Sequence, residues 1–250
     1  MSTGYFLFSK LDGNEKKIDD NSSVSVFQQP SENITYLLPK NLMGYYVENG
    51  LFESQLIEWS KQFLQDTGIF LDIGAHTGSW ALSLASLAQH VYAFEPQKMT
   101  YYALCGGVAL SGIRNVTCIN KGLGSNEQVG TRTLRIVSND GGGSTIQPTN
   151  YPILDEEKIE IITLDSMNLK KISLIKMDVE QNELEVLKGS KETLERSNYP
   201  PIVFECNEAG LELNSQHELF IFLVRDLDYL ITPITGVKNM FLAYKDLFED

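Results

Sequence analysis

The chain reads as an α/β domain: a doubly wound, mostly parallel sheet with helices on both faces and a small N-terminal cap. Three observations lead there. The runs 69–73 (IFLDI) and 172–177 (ISLIKM) have the length and near-continuous hydrophobicity of strands buried on both faces. Each is followed by turn residues and then by apolar residues at helical spacing, over 79–88 and again over 182–194. Strands and helices go on alternating to the end of the chain, the pattern of a parallel sheet. With 250 residues there is ample chain for one such core.

In order, residues 1–50 are assigned to the cap and 51–250 to the main domain. Strands are expected at 4–8, 34–38 and 44–47, with a polar, turn-rich stretch at 11–23. A helix from Phe52 would carry Phe52, Leu56, Trp59 and Phe63 on one stripe, with Glu53 in its first turn. The helix at 79–88 sets Ala81, Leu84, Ala85 and Ala88 on one face, and a strand at 90–94 follows. A helix at 98–111 presents Tyr101, Leu104, Cys105 and Val108, and 115–120 is the third strand. Residues 128–137 alternate as an antiparallel hairpin would. The glycine-rich stretch 138–150 is either a mobile loop or a lid over substrate. Strands at 159–164, 172–177 and 201–206, a helix capped by Asn182 with Leu184, Leu187 and Leu194 inside, a helix at 216–227 and strands at 229–234 and 239–244 complete the chain. Asn198-Tyr199-Pro200-Pro201 has a different residue order from the N-P-P-Y of amino-methylating enzymes and precedes a strand, so it reads as a strand-entry turn.

The stretch 69–78, ending D-I-G-A-H-T-G, joins a buried strand to a helix N-terminus through a glycine turn, a shape that cradles nucleotides with backbone N–H groups. The next strand ends in Glu95, 21 residues after Gly74, where a carboxylate suits the two hydroxyls of a ribose. A dinucleotide fingerprint needs G-x-G-x-x-G, and His76 stands at its second glycine, hindering a pyrophosphate. S-adenosylmethionine has no phosphate, and its sulfonium and ammonium favour carboxylates such as Asp72. The methyl donor is the better fit.

With 20 basic and 33 acidic residues the net charge is −13, which argues against a nucleic-acid footprint and against an anionic membrane surface. Cys105, Cys118 and Cys206 are widely spaced in apolar segments, as reduced core thiols are. No leader pattern and no apolar run of about 18 residues is present, so a soluble cytosolic protein is expected.

The segments 70–78 (FLDIGAHTG), 92–96 (YAFEP), 162–167 (ITLDSM), 175–189 (IKMDVEQNELEVLKG) and 204–207 (FECN) together resemble the FkbM family of methyltransferases, with 175–189 the most specific. The resemblance runs from about residue 50 to 207; at Gln181 the family usually has glycine. It implies the seven-stranded S-adenosylmethionine-dependent fold and methyl transfer to oxygen, commonly a hydroxyl of a sugar, glycan or secondary metabolite. The alternatives are an NAD-linked enzyme and a cofactor-binding interaction protein that has lost its chemistry.

Asp72, Glu95, Asp178 and Glu205 fall at the carboxyl ends of four strands, where ligands bind in open α/β sheets. Asp72 with Gly74, Ala75, His76 and Gly78 is expected to hold the methionine moiety, Glu95 the ribose, and Pro96, Gln97 and Asn120 the adenine. Glu53 would either complement its helix dipole or meet the cofactor's amino-acid end. Asp178 or Glu180 is the candidate base for the acceptor hydroxyl, and Lys176, on the same sheet face as Asp178, tunes it or pairs with it. Glu205, Asn207 and Ser144 are candidate acceptor contacts. Asp178, Glu205 and Asn207 also offer the hard oxygen ligands that Mg²⁺ or another divalent cation takes. His76 reads as a turn residue beside the cofactor, and His90 and His217 as structural or exposed. Composition does not fix the oligomeric state.

Overall fold

The computed structural model describes residues 5–9 (backbone only), 34–64, 68–207 and 217–245. Strands Tyr5–Ser9 (β1) and Thr35–Pro39 (β2) pair antiparallel, and helices Met43–Asn49 (α1) and Ser54–Ser60 (α2) follow. Next come Ile69–Ile73 (β3), Ser79–Leu84 (α3), His90–Phe94 (β4), Lys98–Leu110 (α4) and Val116–Ile119 (β5). Gly122–Leu123 (β6), Gly130–Ile136 (β7) and Asp155–Ile162 (β8) form a separate three-stranded sheet. Ile172–Met177 (β9), Glu183–Lys188 (α5), Lys191–Arg196 (α6), Ile202–Glu205 (β10), Glu218–Ile221 (α7), Leu230–Pro233 (β11) and Met240–Tyr244 (β12) finish the described chain.

The main sheet has seven strands in the order β11-β12-β10-β9-β3-β4-β5. β12 alone runs antiparallel to its neighbours. Because side chains alternate along a strand, each central strand feeds both faces. Leu71, Ile73, Ile175, Met177 and Phe204 join one buried cluster, while Phe70, Leu174 and Val203 join the other. The chain order reverses between β3 and β9, and ligands bind such sheets outside the carboxyl ends of these strands.

Several elements depart from the sequence reading. Residues 44–47, expected as a strand, lie in α1, of which only Tyr46 is buried. The helix pairs its own backbone and ends at Gly50, whose N–H donates to Tyr46 O with φ at 77°. In α2 the buried residues are Leu56, Ile57 and Ser60; of the expected stripe Leu56 is buried and Phe63 packs partly against the core, while Phe52 and Trp59 stay exposed. α4 buries Thr100, Ala103, Leu104 and Gly107, one position off the expected face. The cause is β2, which packs so close that a Cβ on Gly106 would meet Leu37 at 2.4 Å. The 182–194 segment breaks into α5 and α6 at Gly189, where a Cβ would fall 2.1 Å from the Gly124 carbonyl oxygen. β8 begins at Asp155, ahead of the expected 159. Asn198 and Tyr199 take left-handed turn conformations before β10, as the strand-entry reading expects. The 11–23 stretch, and residue 216 of the last expected helix, lie outside the described residues.

Glu180 and Gln181 are both left-handed, at φ 53° and 73°. A glycine after the Glu would adopt this turn without the Cβ clash that a left-handed L-residue carries. Gln181→Gly is therefore expected to stabilise the fold by about 1 kcal/mol, read as a raised midpoint in urea.

Candidate active site

Carboxyl ends of β3, β4 and β9 open into a cavity of about 350 Å³. Its floor is the turn after β3. Gly74 has φ at 77°, and a Cβ there would lie 1.8 Å from the Asp178 carbonyl oxygen, so only glycine lets the turn rest against the exit of β9. The turn's amides are already committed. Gly74 N and Ala75 N donate to Phe94 O at 3.0 and 2.9 Å, His76 N donates to Glu95 Oε2 at 2.8 Å, and Gly78 N to Ala75 O at 2.8 Å. The expectation that this turn offers backbone N–H groups to a ligand is corrected at these four positions: they bind the chain itself. Gly74, Ala75 and His76 line the cavity, and Gly78, whose Cβ would meet Leu104 and Leu82, packs beneath it.

Glu95 stands in the cavity wall with each carboxylate oxygen fixed, Oε2 by His76 N and Oε1 by Gln97 N at 2.8 Å. Burial pushes it up to about 7, against the pull of those two amides and of Lys176. Pro96 lines the cavity too. Asn120 works behind the wall, its Nδ2 donating to Glu95 O at 3.0 Å and Pro96 O at 2.9 Å. Gln97 is also a support, accepting from Ser144 Oγ at 3.3 Å.

Asp72 does not reach the cavity. It is wholly buried, with Oδ2 accepting from Ala81 N at the start of α3 (2.8 Å) and Oδ1 3.9 Å from Lys176 Nζ. Desolvation pushes it up to about 6, Lys176 and the Ala81 amide opposing. The reason is register: Asp72 and Lys176 are partners across β3 and β9, on the face that α3 covers. The acid that does line the cavity here is Glu53. It is left-handed (φ 56°), stands at the N-terminus of α2 and makes no side-chain cap to it. Its Oε2 instead accepts from Trp80 Nε1 at 2.8 Å.

Lys176 donates to Gly74 O at 2.9 Å and lies 3.4 Å from Asp178 Oδ2. Burial alone would lower its pKa, but the fields of Asp178, Asp72 and Glu53 outweigh that and raise it, so the ammonium is kept. Asp178 and Glu180 line the cavity. Glu180 accepts from Gly143 N at 2.9 Å, and burial followed by the charge of Asp178 raises its pKa. Glu205 and Asn207 line a second cavity, on the far side of residues 178–184. One oxygen each of Asp178, Glu180 and Glu205 fall within 4.8 Å of one another. Burial, then Asp178 and Glu180, push Glu205 up to about 8. Asn207 is turned away from metal ligation: its Nδ2 donates to Glu205 Oε2 at 3.0 Å and its Oδ1 accepts from Asn239 Nδ2 at 2.7 Å.

The glycine-rich stretch roofs the first cavity with Asp140, Gly141, Gly142, Gly143 and Ser144. It is tied to three elements: His76 Nε2 donates to Asp140 O at 2.7 Å, Gly143 N to Glu180, and Ser144 Oγ to Gln97. The carbonyl acceptor fixes the Nε2–H tautomer, and burial lowers the His76 pKa, keeping the ring neutral. Sequence reasoning missed one whole end of the site. Leu123, Leu134, Ile159 and Ile161 make an apolar pocket beside Pro96, and Leu42, Tyr46, Phe52 and Trp80 close the other side. The alternating apolar residues of β7 and β8 were the available signal.

Asp72, Glu95, Glu183 and Glu205 sit at about 6, 7, 7 and 8 in the fold, above ordinary values of 3.8 for Asp and 4.5 for Glu. Between those limits the folded chain holds protons that the unfolded chain releases. Their stabilisation is complete below about pH 4 and is lost as pH rises through 6 to 8. Scanning calorimetry of the ligand-free protein is expected to give a Tm several degrees higher at pH 6 than at pH 8.5; a Tm rising with pH would contradict these shifts.

The sequence of residues 72–231 matches the methyltransferase FkbM domain. No curated protein matches the chain in sequence. Among solved structures, an FkbM methyltransferase from Methylobacillus flagellatus is 20% identical, with 71% of this chain and 44% of that chain covered and a TM-score of 0.47. This chain thus spans under half the length of that relative. A protein described as a caffeoyl-CoA O-methyltransferase, from Staphylococcus aureus, is 10% identical with a TM-score of 0.50, covering 81% of this chain and 89% of that one. An rRNA methylase from Streptococcus thermophilus is 16% identical with a TM-score of 0.45, covering 76% and 92%. The likeness to the Staphylococcus protein bears on the fold, a mostly parallel class I methyltransferase sheet. With the family domain matched over most of its length, the chain belongs to the FkbM methyltransferases.

Proposed function

We propose that this chain is an S-adenosylmethionine-dependent O-methyltransferase acting on a hydroxyl of a small polar acceptor, a sugar, glycan or secondary metabolite. The observation that carries the reading is one cavity walled by Glu95 on the β4 side and by Asp178 and Glu180 at the end of β9. The donor set fits the cofactor. Glu53 and Glu95 offer acceptors for an ammonium and for ribose hydroxyls, and the apolar pocket by Pro96 suits a purine. When bound, S-adenosylmethionine supplies a methyl group activated by a positively charged sulfur.

The chain's own residues do the rest. Glu95, held by two amides, presents a preset acceptor to the ribose, and Pro96, Leu134, Ile159 and Ile161 enclose the base. Trp80 holds Glu53 toward the amino-acid end. Asp178 accepts the proton of the acceptor hydroxyl, with Lys176 anchoring its position; a placed base is worth about 10²–10⁴ in rate. The loop 140–144 keeps water out and the reactants aligned. An NAD-linked reading is disfavoured because the turn amides that would hold a pyrophosphate are spent on Phe94 O, Glu95 and Ala75 O.

A divalent cation on Asp178, Glu180 and Glu205 is a second reading, favoured by their 4.8 Å convergence. Lys176, already 3.4 Å from Asp178, supplies a positive charge there without it. Turnover is expected to survive exhaustive chelation; loss restored by Mg²⁺ would make the trio a metal site. Among the described residues no helix is long and apolar enough to cross a membrane, and a cytosolic location belongs to the proposal. The whole reading is tested by incubating the protein with radiolabelled methyl donor and a panel of free sugars, glycans and hydroxylated metabolites. Alkali-stable label on an acceptor hydroxyl is expected. Cofactor binding with no label on any of them would instead indicate a binding protein without chemistry.

A further inference from the structure

The second cavity, about 510 Å³, shares the wall 178–184 with the first, and Glu205 in it reaches the carboxylates of the proposed reacting centre. Its lining includes Glu183, Glu205 and Glu218 together with the amides Gln147, Gln181 and Asn207. Among the described residues no lysine or arginine lines it, and His217 is the one basic side chain that does. The two stretches that supply most of this lining share the bias: the sequence has no basic side chain other than histidine from 136 to 157 or from 197 to 224. Lys176, which precedes this wall in β9 and lines the first cavity, is spent on Gly74 O and Asp178.

Resting on the reading of this chain as an O-methyltransferase, we infer that the second cavity is the acceptor subsite and that it selects a hydroxylated acceptor bearing a protonated amine, such as an amino sugar, over phosphorylated or acylated counterparts. The amides suit a polyol, which exchanges hydrogen bonds with them in either sense. The acids suit an ammonium: Glu205 is crowded by Asp178 and Glu180, and an incoming cation relieves that repulsion. A phosphate would face Glu183, Glu205 and Glu218 with no lysine or arginine and only His217 to pair it, an unfavourable juxtaposition of the kind by which sites reject wrong ligands.

The test uses the full chain saturated with S-adenosylhomocysteine, whose binding is first measured by calorimetry. Glucosamine, N-acetylglucosamine and glucose 6-phosphate are then titrated at pH 7 and followed by protein NMR. Glucosamine is expected to bind at least about tenfold more tightly than N-acetylglucosamine and to weaken with added salt, while glucose 6-phosphate shows no saturation. Glu218→Lys, an exposed position, is expected to remove most of that preference and leave the S-adenosylhomocysteine affinity unchanged. Equal or tighter binding of either counterpart, or no binding by glucosamine, overturns the inference. Intact S-adenosylhomocysteine binding in the same sample confines that failure to the acceptor subsite; its loss would instead sink the methyltransferase reading.

Discussion

Asp178→Asn is expected to lower kcat by about 10²–10⁴ while leaving the Kd for S-adenosylmethionine within about threefold. Asparagine keeps the size of the side chain and can still accept from Lys176, now 3.4 Å away, so the wall between the cavities should stand. What it loses is the capacity to take a proton from the acceptor hydroxyl. Circular dichroism and the calorimetric Kd separate that loss from misfolding. If the variant turned over at the parent rate, Asp178 would not be the base, and Glu180, whose carboxylate is tied to Gly143 N, would be examined next by the same substitution to Gln.

Glu95→Gln is expected to weaken S-adenosylmethionine binding by about 10- to 100-fold, since hydrogen bonds to a charged group contribute about 1.5–3 kcal/mol each. The same change disturbs the fold locally. Both Glu95 oxygens accept backbone N–H groups, from His76 and Gln97, and a carboxamide can accept only one of them. The remaining amide would face an NH₂ donor in a buried setting, at a cost of about 1–3 kcal/mol. The affinity measurement therefore belongs well below the variant's Tm. A variant of parent affinity would remove Glu95 from the cofactor site and leave it only its structural role in the turn.

The fold was legible because its signals are local. β3, its glycine turn and α3 are contiguous, and 175–189 carries a strand, its acids and a helix in one stretch. What escaped depends on partners far apart in sequence. Glu53 gains its meaning from Trp80, and the roof loop from His76, Gln97 and Glu180. The rotated stripe of α4 follows from β2 lying on its glycines. Asp72 is the instructive case. Alternation along β3 already separates it from Leu71 and Ile73, and pairing with Lys176 places it under α3. Nearness to a strand end does not by itself mean facing the ligand: Glu95 and Asp178, just beyond their strands, line the cavity together with Ile73, Phe94 and Lys176 from the strands themselves, and Asp72 does not. Glu205 and Asn207 sit on the other side of the shared wall, a separation that no local pattern could show.

Calorimetric titration of the purified chain with S-adenosylhomocysteine and, separately, with NADH probes the first cavity most directly. S-adenosylhomocysteine is expected to bind one per chain in the micromolar range, and NADH to give no saturable heat. Saturable NADH binding with S-adenosylhomocysteine silent would contradict a methyl-donor site between Glu95 and Asp178.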